Sequence, residues 1–278
     1  MALPPKAMSS SPLQKPWRPT SLLSGSAVLH LAAIAAAVIR PHSWPWALGA
    51  VAADHLLLAA VGLWPRSTLL GSNWTRLPDR AAAGGAVAIT IDDGPDPDIT
   101  PQVLALLDEY SIKATFFCVG QKVERHADLA REMVRRGHAI ENHSQQHRHN
   151  FSLLGPRGLA NEIRHAQESI TAVTGTRPLF FRAPAGLRNP FLDPVLSHLG
   201  LQLASWTRRG FDTVSQDAEA VLGKLTRDLG GGDILLLHDG HAGRTPSGRP
   251  VILEVLPHLL TAVAMAKLRP ITLRAALT

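Results

Sequence analysis

From residue 86 onward, short apolar runs alternate with amphipathic stretches, and this alternation leaves the chain few folds to adopt. The runs fall at residues 86–91, 114–119, 139–140, 179–181, 201–204, 234–237 and 271–273. Helical periodicity fills the intervals, at 101–109, 126–136, 156–173, 190–199, 218–229 and 250–268. Strands that take turns with helices form parallel sheets joined by crossover helices. Gly137, Gly175 and Gly200 follow helical stretches, where C-terminal caps sit. Seven strand signals predict an α/β fold of the incomplete-barrel kind. Its chemistry gathers on loops at the C-terminal ends of the strands.

Upstream the chain changes character. Residues 1–20 are rich in Pro and Ser, with Lys6, Lys15 and Arg18, and read as a disordered tail. Two apolar stretches follow within residues 21–64, each close to the roughly 20 residues that span a bilayer. The short Arg40-Pro41-His42-Ser43 connection makes them an antiparallel hairpin, with Trp44, Trp46 and Trp64 at the ends as interfacial aromatics. A cleaved signal peptide is the rival reading of the first stretch, and the second stretch argues for an anchor. His30 and Asp54 fall at similar depth and are expected to pair or to face a protein partner, since a mid-bilayer charge costs about 2.5 kcal/mol or more. Three basic residues in the tail, and Arg66, Arg76 and Arg80 after the second stretch, outnumber Arg40 in the connection. The positive-inside rule then sets tail and main domain on the cytoplasmic side of a bacterial inner membrane, with the periplasmic side as the alternative. Residues 65–85, rich in Ala and Gly towards their end, read as a linker, and residues 86–278 as the main domain.

The formal charge of +6 admits an anionic partner. No aromatic-basic interleaving or nucleic-acid motif accompanies it, so nucleic acid is set aside in favour of anionic lipid headgroups. Cys118 is the only cysteine, which excludes an intramolecular disulfide. It lies in an apolar run and reads as a buried strand residue.

The chemistry begins at Thr90-Ile91-Asp92-Asp93-Gly94-Pro95, where two adjacent carboxylates end a strand. His143-Ser144-Gln145-Gln146-His147 then adds two imidazoles spaced by four. Two His and one carboxylate bind a metal with a position left open for water, and the spare carboxylate can take a proton from that water. Neighbours on a strand point to opposite faces, so the Gly94-Pro95 break is needed for both acids to converge. The residues leave open which of Asp92 and Asp93 is ligand and which is base, and whether His143 and His147 share a helix face or meet from a loop. Glu141 is a competing ligand and His149 a peripheral neighbour. In Phe181-Arg182-Ala183-Pro184-Ala185-Gly186 an Arg at a strand end can hold a carboxylate, while Pro184, Ala185 and Gly186 shape a loop towards substrate. In Leu235-Leu236-Leu237-His238-Asp239 a His follows a buried strand and is a candidate acid. Asp212 could keep it protonated.

Taken in order, Thr-Ile-Asp-Asp-Gly-Pro, His-Ser-Gln-Gln-His, Arg-Ala-Pro-Ala-Gly, Trp206 to Asp212 and Leu-Leu-Leu-His-Asp resemble the polysaccharide deacetylases with a NodB homology domain, carbohydrate esterase family 4. The resemblance covers about residues 87–273. It implies a distorted (β/α)7 barrel and a divalent metal, usually zinc with cobalt or nickel as substitutes. It also implies Asp93, His143 and His147 as metal ligands, Asp92 as base, Arg182 orienting Asp92, His238 as acid and Asp212 tuning it. Pro184, Ala185, Gly186 and Trp206 would border the substrate. Departures occur at Ala185, where the family commonly has an aromatic residue, and at Thr213, where it often has Trp; Arg208 and Arg209 also enter this region. The expected activity is removal of an N-acyl group, N-acetyl by preference, from an amino sugar. The basic residues and the hairpin point to a phosphorylated lipid-linked sugar, with cell-wall or exported polysaccharide as the rival substrate. A catalytically silent membrane-anchored glycan-binding domain is the alternative of a different class.

Overall fold

Every residue of β1 (Ala86–Asp92) is buried, as befits a central strand covered on both faces. The computed structural model describes residues 16–278, so residues 1–15 of the expected tail lie outside the described residues. After β1 the strands are β2 (Thr115–Cys118), β3 (Ala139–Asn142), β4 (Phe180–Phe181), β5 (Gln202–Leu203), β6 (Arg208–Arg209), β7 (Ile234–His238) and β8 (Arg269–Pro270). All pairings are parallel in the order β5-β4-β3-β2-β1-β7-β6, and β8 lies beside the start of β1. The sheet curls into a half-barrel, the distorted (β/α)7 arrangement anticipated above. The last expected strand, 271–273, forms instead at Arg269–Pro270. Strand β6 was not expected at all.

The helices are α1 (Ser21–Ile39), α2 (Trp44–Gly62), α3 (Asp79–Ala83), α4 (Thr100–Glu109), α5 (Gly120–Arg125), α6 (Ala127–Arg135), α7 (Pro156–Thr174), α8 (Leu192–Leu199), α9 (Ala218–Thr226) and α10 (Val251–Met265). Gly175 and Gly200 cap α7 and α8 in the left-handed conformation, the caps that the sequence marks. Side chains alternate along the central strands. Val87, Ile89, Ile91, Leu235 and Leu237 pack outward with Leu104, Leu256 and Val263 of the crossover helices. Ala86, Ala88, Phe117, Ile234 and Leu236 pack inside the barrel with Trp206 and Phe180. The same alternation turns Thr90, Asp92 and His238 to the interior at the C-terminal end of the sheet.

Helices α1 and α2 are long and apolar enough to cross a membrane. Thr20 caps α1 through its hydroxyl, which accepts from the Leu23 N–H. Val28, Leu31 and Trp46 are exposed by 65%, 69% and 82%, apolar surface that water alone would leave uncovered. Buried Asp54 accepts a 2.6 Å hydrogen bond from the Ser26 hydroxyl. His30 Nδ1 lies 3.9 Å from Asp54 Oδ2, and its Nε2 lies 3.2 Å from Nε2 of His55. His30 and Asp54 therefore come together as expected, with Ser26 supplying the hydrogen bond.

Residues 65–85, expected to act as a linker, are packed along the half-barrel. Leu70 and Leu77 are buried. The Trp74 N–H donates to the Leu203 carbonyl, and the Ser205 N–H donates to the Trp74 carbonyl. This segment covers the free edge of β5 and satisfies backbone groups that an open edge leaves unpaired.

Candidate active site

Asp92 and Asp93 have different neighbours because they leave β1 in different directions. Asp92 continues the strand alternation inward. Asp93 has φ of +75°, which swings its side chain round to the same side. Gly94 allows this turn to sit tightly, since a Cβ there would lie 2.5 Å from Asp239 Oδ1.

Asp92 Oδ1 accepts a 2.6 Å hydrogen bond from Arg182 Nη1. The same guanidinium donates to Thr90 Oγ1 and to the carbonyls of Ala204 and Ser205, and it lies 4.1 Å from the Phe117 ring centre. Arg182 is 1% exposed. Burial lowers its pKa, and the Asp92 charge and hydrogen bond offset only part of that. Because Oδ1 is occupied, the other oxygen of Asp92 is left to face the pocket, 3.9 Å from His143 Nε2.

Asp93 Oδ1 lies 3.2 Å from His143 Nε2 and 3.1 Å from His147 Nε2. His143 Nδ1 is 2.8 Å from the Arg182 carbonyl, which can only accept, so Nδ1 carries the proton and Nε2 presents a bare lone pair. Asp93 Oδ1 is buried without a hydrogen-bond partner. Lone pairs thus converge on one point, and their ligand atoms all lie within 4.8 Å of one another. Such spacing suits ligands about 2.1 Å from a shared cation. Burial lowers the pKa of His147 to about 4, so its imidazole is neutral and free to ligate. Burial alone would raise Asp93, but its contacts with His143 and His241 hold it well below the usual carboxylate range. The residues fit a divalent cation. His143 and His147 reach it from a loop, not a helix face, with Ser144 and His147 at φ of +66° and +50°.

Across the pocket, His238 Nδ1 donates to Asp212 Oδ1 at 2.9 Å, and Asp212 Oδ2 accepts from the His238 N–H at 2.7 Å. Nδ1 is therefore protonated, and Nε2 is the nitrogen left for the pocket. Burial pulls the His238 pKa down, but the Asp212 bond and charge prevail and raise it. The pocket holds about 210 Å³ and is lined by Asp92, Asp93, His143, His147 and His238, with Ala185, Gly186 and Trp206 on one wall. Arg182, Pro184 and Asp212 are buried and do not line it. His149 reaches the rim.

The family profile for polysaccharide deacetylase matches residues 79–204. A peptidoglycan-N-acetylglucosamine deacetylase of Bacillus cereus is 35% identical over 175 residues, 62% of this chain and 81% of the relative. The chain belongs to the polysaccharide deacetylase family. A chitooligosaccharide deacetylase of Sinorhizobium fredii is 31% identical over 60% of this chain and 79% of its own. Among solved structures, a family 4 acetyl xylan esterase from Clostridium thermocellum, held with a cobalt ion, superposes with a TM-score of 0.60 at 31% identity, covering 69% of this chain and 89% of that one.

The fold brings further residues to the site: His241 and Lys122, which the motifs did not mark, and Asp239, which one motif contained without a role. His241, three positions beyond His238, places Nδ1 3.2 Å from Asp93 Oδ2; the His-Asp-Gly-His spacing was its only signal. Lys122 donates to the Asp93 carbonyl at 2.7 Å. Asp239 is buried, which raises its pKa to about 7 against the pull of the Thr100 hydroxyl.

Glu141, the competing ligand, is turned elsewhere. It accepts from the N–H groups of Leu179 and Phe180 and from Arg274 Nε at 2.6 Å. It ties β3 to the start of β4 and to the C-terminal segment. Glu141→Ala strands Arg274 and two backbone donors, so it is expected to cost about 3 kcal/mol. Chemical denaturation should show that loss, while the folded fraction keeps its full metal content by elemental analysis.

Proposed function

We propose that the chain is a membrane-anchored, divalent-metal-dependent hydrolase that removes an N-acyl group, N-acetyl by preference, from an amino sugar in a glycan or lipid-linked glycan. Residues 21–64 form the anchoring hairpin, residues 65–85 the connecting segment, and residues 86–278 the catalytic domain. The observation that carries the reading is the division of labour between the two carboxylates. Asp93 shares a buried point with His143 and His147, while Asp92 is held by Arg182 with one oxygen free. The relatives, named as a peptidoglycan-N-acetylglucosamine deacetylase and a chitooligosaccharide deacetylase, support the same chemistry.

Asp93, His143 and His147 hold the cation, zinc by preference. When bound, it supplies Lewis acidity to the acyl carbonyl oxygen and to a water. Asp92 accepts the proton of the attacking water, and Arg182 keeps its carboxylate aimed. The backbone at Ala185, on the pocket wall, supports the developing oxyanion. His238 Nε2 passes its proton to the departing nitrogen as the C–N bond breaks, giving a free amine and a carboxylate.

His238→Ala is expected to keep the metal and lower kcat by about 10²-fold or more. A general acid acts in its protonated form, so activity falls as pH rises through its pKa. Asp212 raises that pKa. Asp212→Asn should therefore move the alkaline limb of the kcat profile to lower pH. The reading as a whole is tested by acetate release from N-acetylchitotetraose and from polyprenyl-phosphate-linked N-acetylglucosamine by the purified full chain loaded with zinc. Release from either supports it. Metal binding with no release from both would favour a silent glycan-binding domain.

A further inference from the structure

The hairpin does more than tether the domain, because its end forms the back of the pocket wall. The Arg188 N–H donates to the Gly62 carbonyl at the end of α2, and Ser205 Oγ donates to the Pro65 carbonyl at 2.7 Å. Pro65 packs directly behind Gly186, where an added Cβ would lie 2.7 Å from Pro65 and 2.6 Å from Trp206. Arg66 Nη1 donates to the Thr207 carbonyl. At the other end of the hairpin, Thr20 Oγ1 donates to the Leu69 carbonyl and the Trp17 indole donates to Asp193. The end of α2 therefore leaves the domain from the loops at 183–188 and 204–207, and α1 starts beside Leu69 and the first turn of α8. Those loops supply Ala185, Gly186 and Trp206 of the pocket. Trp64, 57% exposed, marks the interface end of α2. Pro65, the next residue, backs Gly186 of the pocket wall, and a headgroup region is only about 5–7 Å deep.

The second observation is charge. Adjacent residues on β6 point opposite ways, and the two arginines separate accordingly. Arg208 turns away and pairs with Asp233 at 2.6 Å. Arg209 lines the pocket, with its guanidinium 5.4 Å from the Trp206 ring and 4.9 Å from the Phe211 ring. Its Nε is buried without a hydrogen-bond partner. Lys224 Nζ lies 5.3 Å from the centre of the same Phe211 ring. Among the described residues neither Arg209 nor Lys224 makes an ion pair. A buried, unpaired guanidinium N–H beside a catalytic pocket is costly unless a ligand satisfies it, and the planar fork suits a phosphate.

Given the deacetylase reading on which it rests, we infer that the substrate is an N-acyl amino sugar joined through a phosphate to a membrane lipid. Arg209 takes the phosphate, and the lipid stays in the bilayer beside the hairpin. The test uses the full chain in mixed micelles with three probes: polyprenyl-phosphate-linked N-acetylglucosamine, neutral octyl N-acetylglucosaminide and soluble N-acetylchitotetraose. The expected kcat/KM is highest for the phosphate-linked probe, by about tenfold or more over the octyl glycoside. Arg209→Gln is expected to bring that ratio close to one. Equal or better turnover of chitotetraose, or an unchanged ratio in the variant, overturns the inference and leaves the deacetylase reading standing. No acetate from any probe overturns both. The ranking of probes by the unaltered chain decides the matter even if the variant fails to fold.

Discussion

His143→Ala is expected to remove bound metal and activity together. His143 Nδ1 is committed to the Arg182 carbonyl, so Nε2 is its only ligating atom, and it faces Asp93 at 3.2 Å. Alanine leaves Asp93 and His147, a pair too weak to retain a cation against a chelator. The loss of Lewis acidity is worth several kcal/mol at the transition state, a fall of about a thousandfold in rate. Elemental analysis of the dialysed full chain should show the metal gone, and acetate release should fall with it. Because His143 also sits beside Arg182, circular dichroism should confirm that the fold is kept. A variant that keeps metal would mean that other residues hold it.

Asp92→Asn is expected to separate the two properties. Asparagine has the same shape, and its carbonyl oxygen can still accept from Arg182 Nη1. It cannot take a proton from water. The metal content should therefore remain that of the unaltered chain, while kcat falls by about 10²- to 10⁴-fold with KM little changed, the pattern of an interaction made only in the transition state. The opposite pattern, metal lost and residual rate unaffected by added zinc, would exchange the roles of Asp92 and Asp93.

The alternation of strands and helices was legible because the central strands are covered on both faces and so read as unbroken apolar runs. Strand β6 was hidden for the converse reason: it lies at the sheet edge and consists of Arg208 and Arg209, which carry no apolar signal. Residues 65–85 looked like a linker by composition, and only the fold explains why Trp74 pairs with the open edge of β5 and Leu77 packs into the barrel interior. In the site, the order of the motifs named side chains that the fold gathers at one pocket, but spacing could not choose between Asp92 and Asp93. That choice depends on strand alternation through Asp92 and on the left-handed turn at Asp93. Nor could spacing show that Glu141 is spent on backbone N–H groups and Arg274, or that His241 would fold back onto Asp93. Arg208 and Arg209 read alike in the sequence; the sheet turns one to Asp233 and the other to the pocket.

The central claim is that this chain hydrolyses an N-acyl amino sugar with a cation held by Asp93, His143 and His147. The most direct measurement is acetate release by the purified full chain before chelation, after chelation, and after adding zinc or cobalt back, with bound metal counted at each stage. The account predicts that release stops when the metal is removed and returns as it is restored, in proportion to metal bound. Undiminished release by the metal-free chain would contradict it.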